Sequence, residues 1–213
     1  KTPIAALNED DLAEVEDVAI PSELAVLPLR GAILFPYMVL PVHASSERSR
    51  ALVNEAAVGP RIFAVVAQKD EGNEDPKREE LYDWGTACRI LRLMQLPDGS
   101  LRVLVQGLRR VRFDEFTDEE PYFRARVTTF DDAGTDAIAV TAIRGTAEDL
   151  FRQIVAAAPA LTEELIVALE AVEDPGRLAD FIGANLPVDT ADRQRILEAV
   201  DVYIRLERVT ELL

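Results

Sequence analysis

The hydrophobic period of this chain changes once, near residue 131, and that change constrains its fold more than any other feature. Between Glu23 and Phe130 the apolar residues come in short runs rich in Val, Ile, Leu and Phe, broken by Pro28, Gly31, Pro36 and Pro41. Such runs form strands of a twisted, bulged sheet, because proline cannot donate to a ladder and so falls at edges and bends. RIFAVVA, residues 61–67, is a continuous apolar run of strand length, expected to be buried on both faces. LPDGS, residues 96–100, sets Pro, Asp and Gly where a tight turn needs them, which predicts a hairpin joining Ala87–Gln95 to Leu101–Gln106. Leu101, Val103 and Val105 alternate with Arg102, Leu104 and Gln106. Val111 and Phe113 alternate with Arg110 and Arg112, and Phe123, Ala125 and Val127 fall on one face. This is the period of half-buried strands.

One helix is expected inside the β-rich part, over Ser45 to Ala57. Ser45 or Ser46 caps it, Glu47 complements the dipole in its first turn, Leu52 and Ala56 share a face, and Gly59 and Pro60 end it. DDAGTD, residues 131–136, breaks the strand pattern, and Ala, Leu, Ile and Glu dominate thereafter. Pro159 closes a first long helix there, Thr162 caps a second, and Asp174 with Pro175 starts a third; Asp189 and Asp201 cap two more. Leu178, Phe181 and Ile182 share a face of one helix, as Leu206, Val209 and Leu213 do of the last. The fold class is α+β, a β domain followed by an all-α bundle.

Composition narrows the function. Of 213 residues 48% are hydrophobic and 29% charged, as in an ordinary globular protein. The formal net charge of −16 opposes binding to nucleic acid, whose affinity comes from Lys and Arg on phosphates. Arg102, Arg109, Arg110, Arg112, Arg124 and Arg126 form a basic cluster on paired strands, read as arginines set beside Asp and Glu on a solvated surface. No apolar run reaches the length that crosses a bilayer, and the acidic N-terminus lacks a secretory signal, so membrane is not an expected partner and a cytoplasmic location is. Cys88 is the sole cysteine and His43 the sole histidine, which leaves no internal disulfide and no Cys/His metal site in a monomer. Residues 1–22 carry six carboxylates between Glu9 and Asp17 and read as a flexible leader, with a weak helix over Asp10 to Val18 as the alternative.

LPLRGAILFPYMVLPV (Leu27 to Val42), VAQKD (Val66 to Asp70), WGT (Trp84 to Thr86) and LPDGSLRVLVQGLRR (Leu96 to Arg110) occur in order at the spacing of one family. Together they resemble the N-terminal domain of the bacterial Lon proteases. The resemblance implies a PUA-like β-barrel with one or two short helices over residues 23–131 and a helical subdomain over 132–213. Its implied role is substrate recognition and assembly, binding exposed apolar segments of unfolded or degron-bearing proteins for an ATP-dependent serine protease. The parent would be a homohexameric ring using ATP and Mg. The chain opens on Lys1 and ends on the uncapped apolar stripe ERVTELL, as a piece of a longer protein would. No GxxxxGK[ST] loop and no serine and lysine pair of the family's protease type is present, so neither cofactor nor catalytic residue is expected in this chain. A free-standing Lon-like adaptor is the alternative; a ligand-binding domain like that of cereblon ranks below it, since the clustered cysteines of a zinc domain are missing.

Among single residues, His43 ends a strand with no serine or cysteine nucleophile patterned around it, Cys88 reads as a small core residue, and Trp84 as structural. The candidate substrate-binding residues are Leu34, Phe35, Pro36, Tyr37, Met38 and Leu40, in a proline-interrupted segment where not every large side chain can point inward. Burial of the same side chains is the competing reading. Glu47 and Arg48, with Arg50, follow them at the start of the helix, where an ordinary solvated face is the alternative. The acidic loop Asp70 to Glu80 is expected in solvent; selecting basic or repelling acidic clients is its functional reading, and an ordinary soluble loop is the competing one.

Overall fold

Two glycines decide how the β-rich half of the chain closes. A Cβ on Gly107 would stand 2.2 Å from the carbonyl oxygen of Phe35, and one on Gly85 would stand 2.1 Å from that of Val65. Backbone therefore meets backbone at both places, which only glycine permits. The computed structural model describes residue 15 and residues 18–134, 138–158 and 161–213. Most of the acidic leader, the helix expected over Asp10 to Val18, the end of the 131–136 breaker and the stop at Pro159 lie outside the described residues.

The first of two structural units ends at Thr129. It holds six strands: β1 (Glu23–Leu29), β2 (Val39–Ala44), β3 (Ile62–Gln68), β4 (Leu81–Gln95), β5 (Leu101–Asp118) and β6 (Phe123–Phe130). Their order is β2-β5-β4-β3-β1-β6, with a further β5–β6 pairing. That pairing joins the two ends of the run β5-β4-β3-β1-β6, so these five strands close on themselves and β2 stays outside the ring as an edge. The sheet is mixed, because β1 runs parallel to β3 while the other registered pairs are antiparallel.

Helix α1 (Glu47–Val58) follows β2. Ser46 is its cap, accepting from the Ser49 amide at 3.1 Å, and Gly59 closes it. Its Leu52 and Val53 enter an apolar cluster with Leu27, Leu29, Val42, Phe63, Val65 and Val103. The opposite faces of β1 and β3 feed a second cluster with Leu24, Val26, Ala64, Val66, Phe113 and Phe123. The continuous apolar run of β3 thus has a physical reason, since both its faces are covered.

The hairpin between β4 and β5 forms at LPDGS, where Gly99 sits at φ +81° and the Leu96 amide donates to the Ser100 carbonyl at 2.9 Å. Strict alternation fails further along. Gln106 and Arg110, both expected outward, are buried, with 0% and 2% exposed. The register slips between Ala87, opposite Arg109, and Cys88, opposite Gly107, so Leu108 is an extra residue that resets the faces of β5. Gln106 accepts from Arg89 Nε at 2.8 Å. Of the arginine cluster, Arg112, Arg124 and Arg126 do pair with Asp114, Glu55 and Glu115.

The second unit, Phe130–Leu213, contains α2 (Ile138–Ala157), α3 (Glu164–Glu170), α4 (Pro175–Asn185), α5 (Thr190–Leu197) and α6 (Val202–Leu212). Asp174, Asp189 and Asp201 cap α4, α5 and α6, accepting from the amides of Arg177, Asp192 and Ile204. Thr162 does not cap α3: the chain turns one residue later and Glu163 takes the position without a side-chain bond. Buried Arg205 is the hub of this unit. Its guanidinium donates to both oxygens of Asp132, at 2.6 and 2.9 Å, and to the Ala199 carbonyl at 2.8 Å, and Asp180 lies 3.5 Å away.

Replacing Arg205 with methionine strands the buried Asp180 and the inward carboxylate of Asp132, so urea unfolding should show a loss of about 3–5 kcal/mol. Gly107→Ala should cost on the order of 3 kcal/mol, because neither backbone can retreat from the added methyl without breaking ladder bonds.

Candidate functional site

A cleft of about 460 Å³ opens in the first unit, between β1 and β2. Prolines create it. The Val127 amide donates to the Ser22 carbonyl, and residues 23–26 of β1 continue that antiparallel ladder up to Val26 opposite Phe123. In this register Ser22, Leu24 and Val26 turn their backbone groups toward β6, so Pro28 is the next residue of β1 to face that way. It has no N–H to extend the ladder, which stops at Val26.

On the other lip, the Gly107 amide donates to the Met38 carbonyl at 2.9 Å. Counting along the β2–β5 register from there, Leu40, Val42 and Ala44 address β5, whereas Val39, Pro41 and His43 address the open side. Pro41 therefore costs the ladder nothing and marks a free edge. The cleft runs between these lips over an apolar floor that includes Leu27, Leu29, Leu40 and Leu52.

Charged groups form its rim. Arg48, in the first turn of α1, donates to Asp75 Oδ1 at 2.7 Å and to the Glu119 carbonyl, and its guanidinium lies 4.9 Å from the centre of the Phe123 ring. Arg30 reaches Glu74 at 3.3 Å. The acidic loop thus does more than sit in solvent: Glu74, Asp75 and Pro76 wall the cleft. Tyr122, another lining residue, donates its hydroxyl to Glu55, which also accepts from Arg124. These two donors hold the Glu55 carboxyl below its ordinary value, the tyrosine bond contributing most. Burial, reinforced by the hydrogen bond to Glu55, pushes the Tyr122 hydroxyl up.

The structure divides the sequence-derived candidates. Leu34, Phe35 and Pro36 are buried and unavailable to any partner; Phe35 is 0% exposed and its carbonyl accepts from the Met38 amide. Tyr37 turns the chain at φ +63°, a left-handed conformation held by the bond from its amide to the Gly107 carbonyl. Tyr37, Met38 and Leu40 are half-buried, and of these only Leu40 lines the cleft. Arg48 lines it as well, while Glu47 is exposed outside it. Arg50 leans toward the hairpin, 3.4 Å from the Gly99 carbonyl.

His43 corrects the sequence reading in another way. A serine does stand beside it, with Ser100 Oγ 3.0 Å from Nε2. That hydroxyl gives its proton to Asp98 at 2.6 Å, so the imidazole is not poised as its base and no nucleophile is generated. Cys88 is wholly buried, and desolvation raises its thiol well above the ordinary range. Both features support the hairpin and the core rather than chemistry. Among the described residues no helix is long and apolar enough to cross a membrane.

Because the folded Glu55 carboxyl titrates lower than the unfolded one, its contribution is complete above about pH 4.5 and fades as pH falls through the depressed value. Urea titrations should show Glu55→Gln less stable than the parent at pH 7, with the gap closing as the pH drops below 4.5.

Comparison with known proteins places these features in context. A family model described as the substrate-binding domain of ATP-dependent protease La (LON) matches residues 23–213. A Lon protease of Heliobacterium modesticaldum is 42% identical over 191 residues, covering 90% of this chain and 24% of that protein. Lon protease 2 of Myxococcus xanthus is 34% identical over 212 residues, covering 99% of this chain and 25% of that one. The chain therefore spans about a quarter of the length of these relatives. Among solved structures, the N-terminal domain of the Mycobacterium avium complex Lon protease superposes with a TM-score of 0.72 at 21% identity, covering 89% of this chain and 97% of that one.

Proposed function

The chain belongs to the Lon substrate-binding domain family, and from that premise we propose that it grips exposed apolar segments of unfolded proteins in the cleft between β1 and β2. The cleft itself carries the proposal: an apolar floor of about 460 Å³ lies between two strand edges and under a charged rim. Such a site receives an apolar side chain without demanding one sequence, which suits a domain that meets many clients. In this reading the β unit is PUA-like and begins near residue 23 after an acidic leader, and residues 132–213 form the helical part. The matched relatives are about four times longer, which favours a part of an ATP-dependent serine protease over a free-standing adaptor. The ATPase and protease ring would lie in the rest of such a protein, with ATP and Mg held there. Weak binding by single domains would gain retention by avidity if several stood around a hexamer.

Hydrogen exchange with one client, presented folded and permanently unfolded, tests the reading. Protection of residues 26–30, 38–43 and 74–76 by the unfolded form alone is the expected result. Equal protection by both forms, or by neither, contradicts it.

A further inference from the structure

The two lips of the cleft are strand edges, and their chemistry goes further than an apolar patch. On β2 the backbone of Val39, Pro41 and His43 faces the opening, and among the described residues no strand pairs with that side. It presents three carbonyls but only the two amides of Val39 and His43, since Pro41 has no N–H. On β1 the corresponding position is Pro28, which offers a carbonyl alone. Both lips are therefore richer in acceptors than in donors. A wet, unpaired edge of this kind is a template for another chain, and proline on each lip limits pairing to a partner that brings its own N–H groups.

The rim adds a sign. Residues 69–80 carry Asp70, Glu71, Glu74, Asp75, Glu79 and Glu80 against Lys69, Lys77 and Arg78. Glu119 and Glu120 follow on the neighbouring corner, where Arg48 is bonded to the Glu119 carbonyl and lies 4.0 Å from the Glu120 carboxylate. Arg30 and Arg48 are already engaged by Glu74 and Asp75. The charges that line the mouth balance, and the negative excess lies just beyond them, in the rest of the acidic loop and at Glu119 and Glu120, within a chain of net charge −16, so basic flanks are drawn in and acidic ones repelled.

We propose that the occupant is an extended polypeptide segment, apolar at its centre and basic at its flanks, which adds to the free edge of β2 as a further antiparallel or parallel strand. This rests on the reading that unfolded clients bind the cleft, and specifies how they are held. Main-chain hydrogen bonds supply affinity that does not depend on sequence, and the floor at Leu27, Leu40 and Leu52 receives every second side chain. A folded client, whose strands are already paired, has no such segment to give.

The test uses the whole chain and a peptide of ten central residues in which Leu alternates with Thr, so that a single parity suits the apolar floor, with two lysines at each end. Two further versions carry N-methyl groups on the odd or on the even central residues. Only one parity turns its N–H groups toward β2, so one version should bind about tenfold more weakly or worse, while the other loses no more than about threefold. Resolved amide exchange should slow at His43, and exchanging the lysines for glutamates should abolish binding. Equal loss for both parities, with the parent peptide and an unfolded client still bound, overturns strand addition and leaves client binding standing as side-chain docking. Failure of the unfolded client itself to bind overturns both. A chain that sediments as a dimer the peptide cannot dissociate shows β2 pairing with a second copy, which also overturns the proposal.

Discussion

Backbone contact at Gly107 is the constraint on which the β unit depends. The segment Leu34–Met38 is laid against β5 there, bonded in both directions, with the Tyr37 amide donating to the Gly107 carbonyl and the Gly107 amide to the Met38 carbonyl. The Thr86 hydroxyl fixes the Leu34 carbonyl from the next strand. This contact buries Phe35, forces Tyr37 through its left-handed turn, and delivers β2 to β5 in one register. Because the parity of β2 is set at Met38, the outward face of Pro41 and His43 is set with it. The cleft is thus a consequence of how the barrel closes.

Much of this was legible beforehand, for local reasons. Turn chemistry gave away the hairpin at LPDGS, and aspartate before a helical run gave away three caps, because both effects act within four residues. The run RIFAVVA announced its double burial through composition alone. Leu108 shows where such reasoning stops: a bulge in β5 is a matter of pairing with β4, and no pattern within the strand tells that Val103 and Val105 will feed one apolar cluster and Val111 and Phe113 the other.

The same limit applied to the site. A proline-broken apolar run cannot all face inward, which makes Leu34, Phe35 and Pro36 candidates on sequence grounds, yet the close approach at Gly107 buries those three and leaves Leu40 at the cleft. Pro28 and Pro41 were visible as edge markers, but that they border one opening depends on β1 and β2 being brought together through other strands. Arg48 stands out in the sequence only through its neighbours, and its partners Asp75 and Glu119 lie far along the chain.

The most direct test of the account is site-specific photo-crosslinking to an unfolded client. A photoreactive residue is placed at Leu40, in the cleft, or at Val58, an apolar position 91% exposed at the end of α1. If the cleft holds the client, Leu40 gives the crosslinked product and Val58 gives little, although Val58 is far more accessible. Crosslinking that follows exposure, stronger at Val58 than at Leu40, would contradict it.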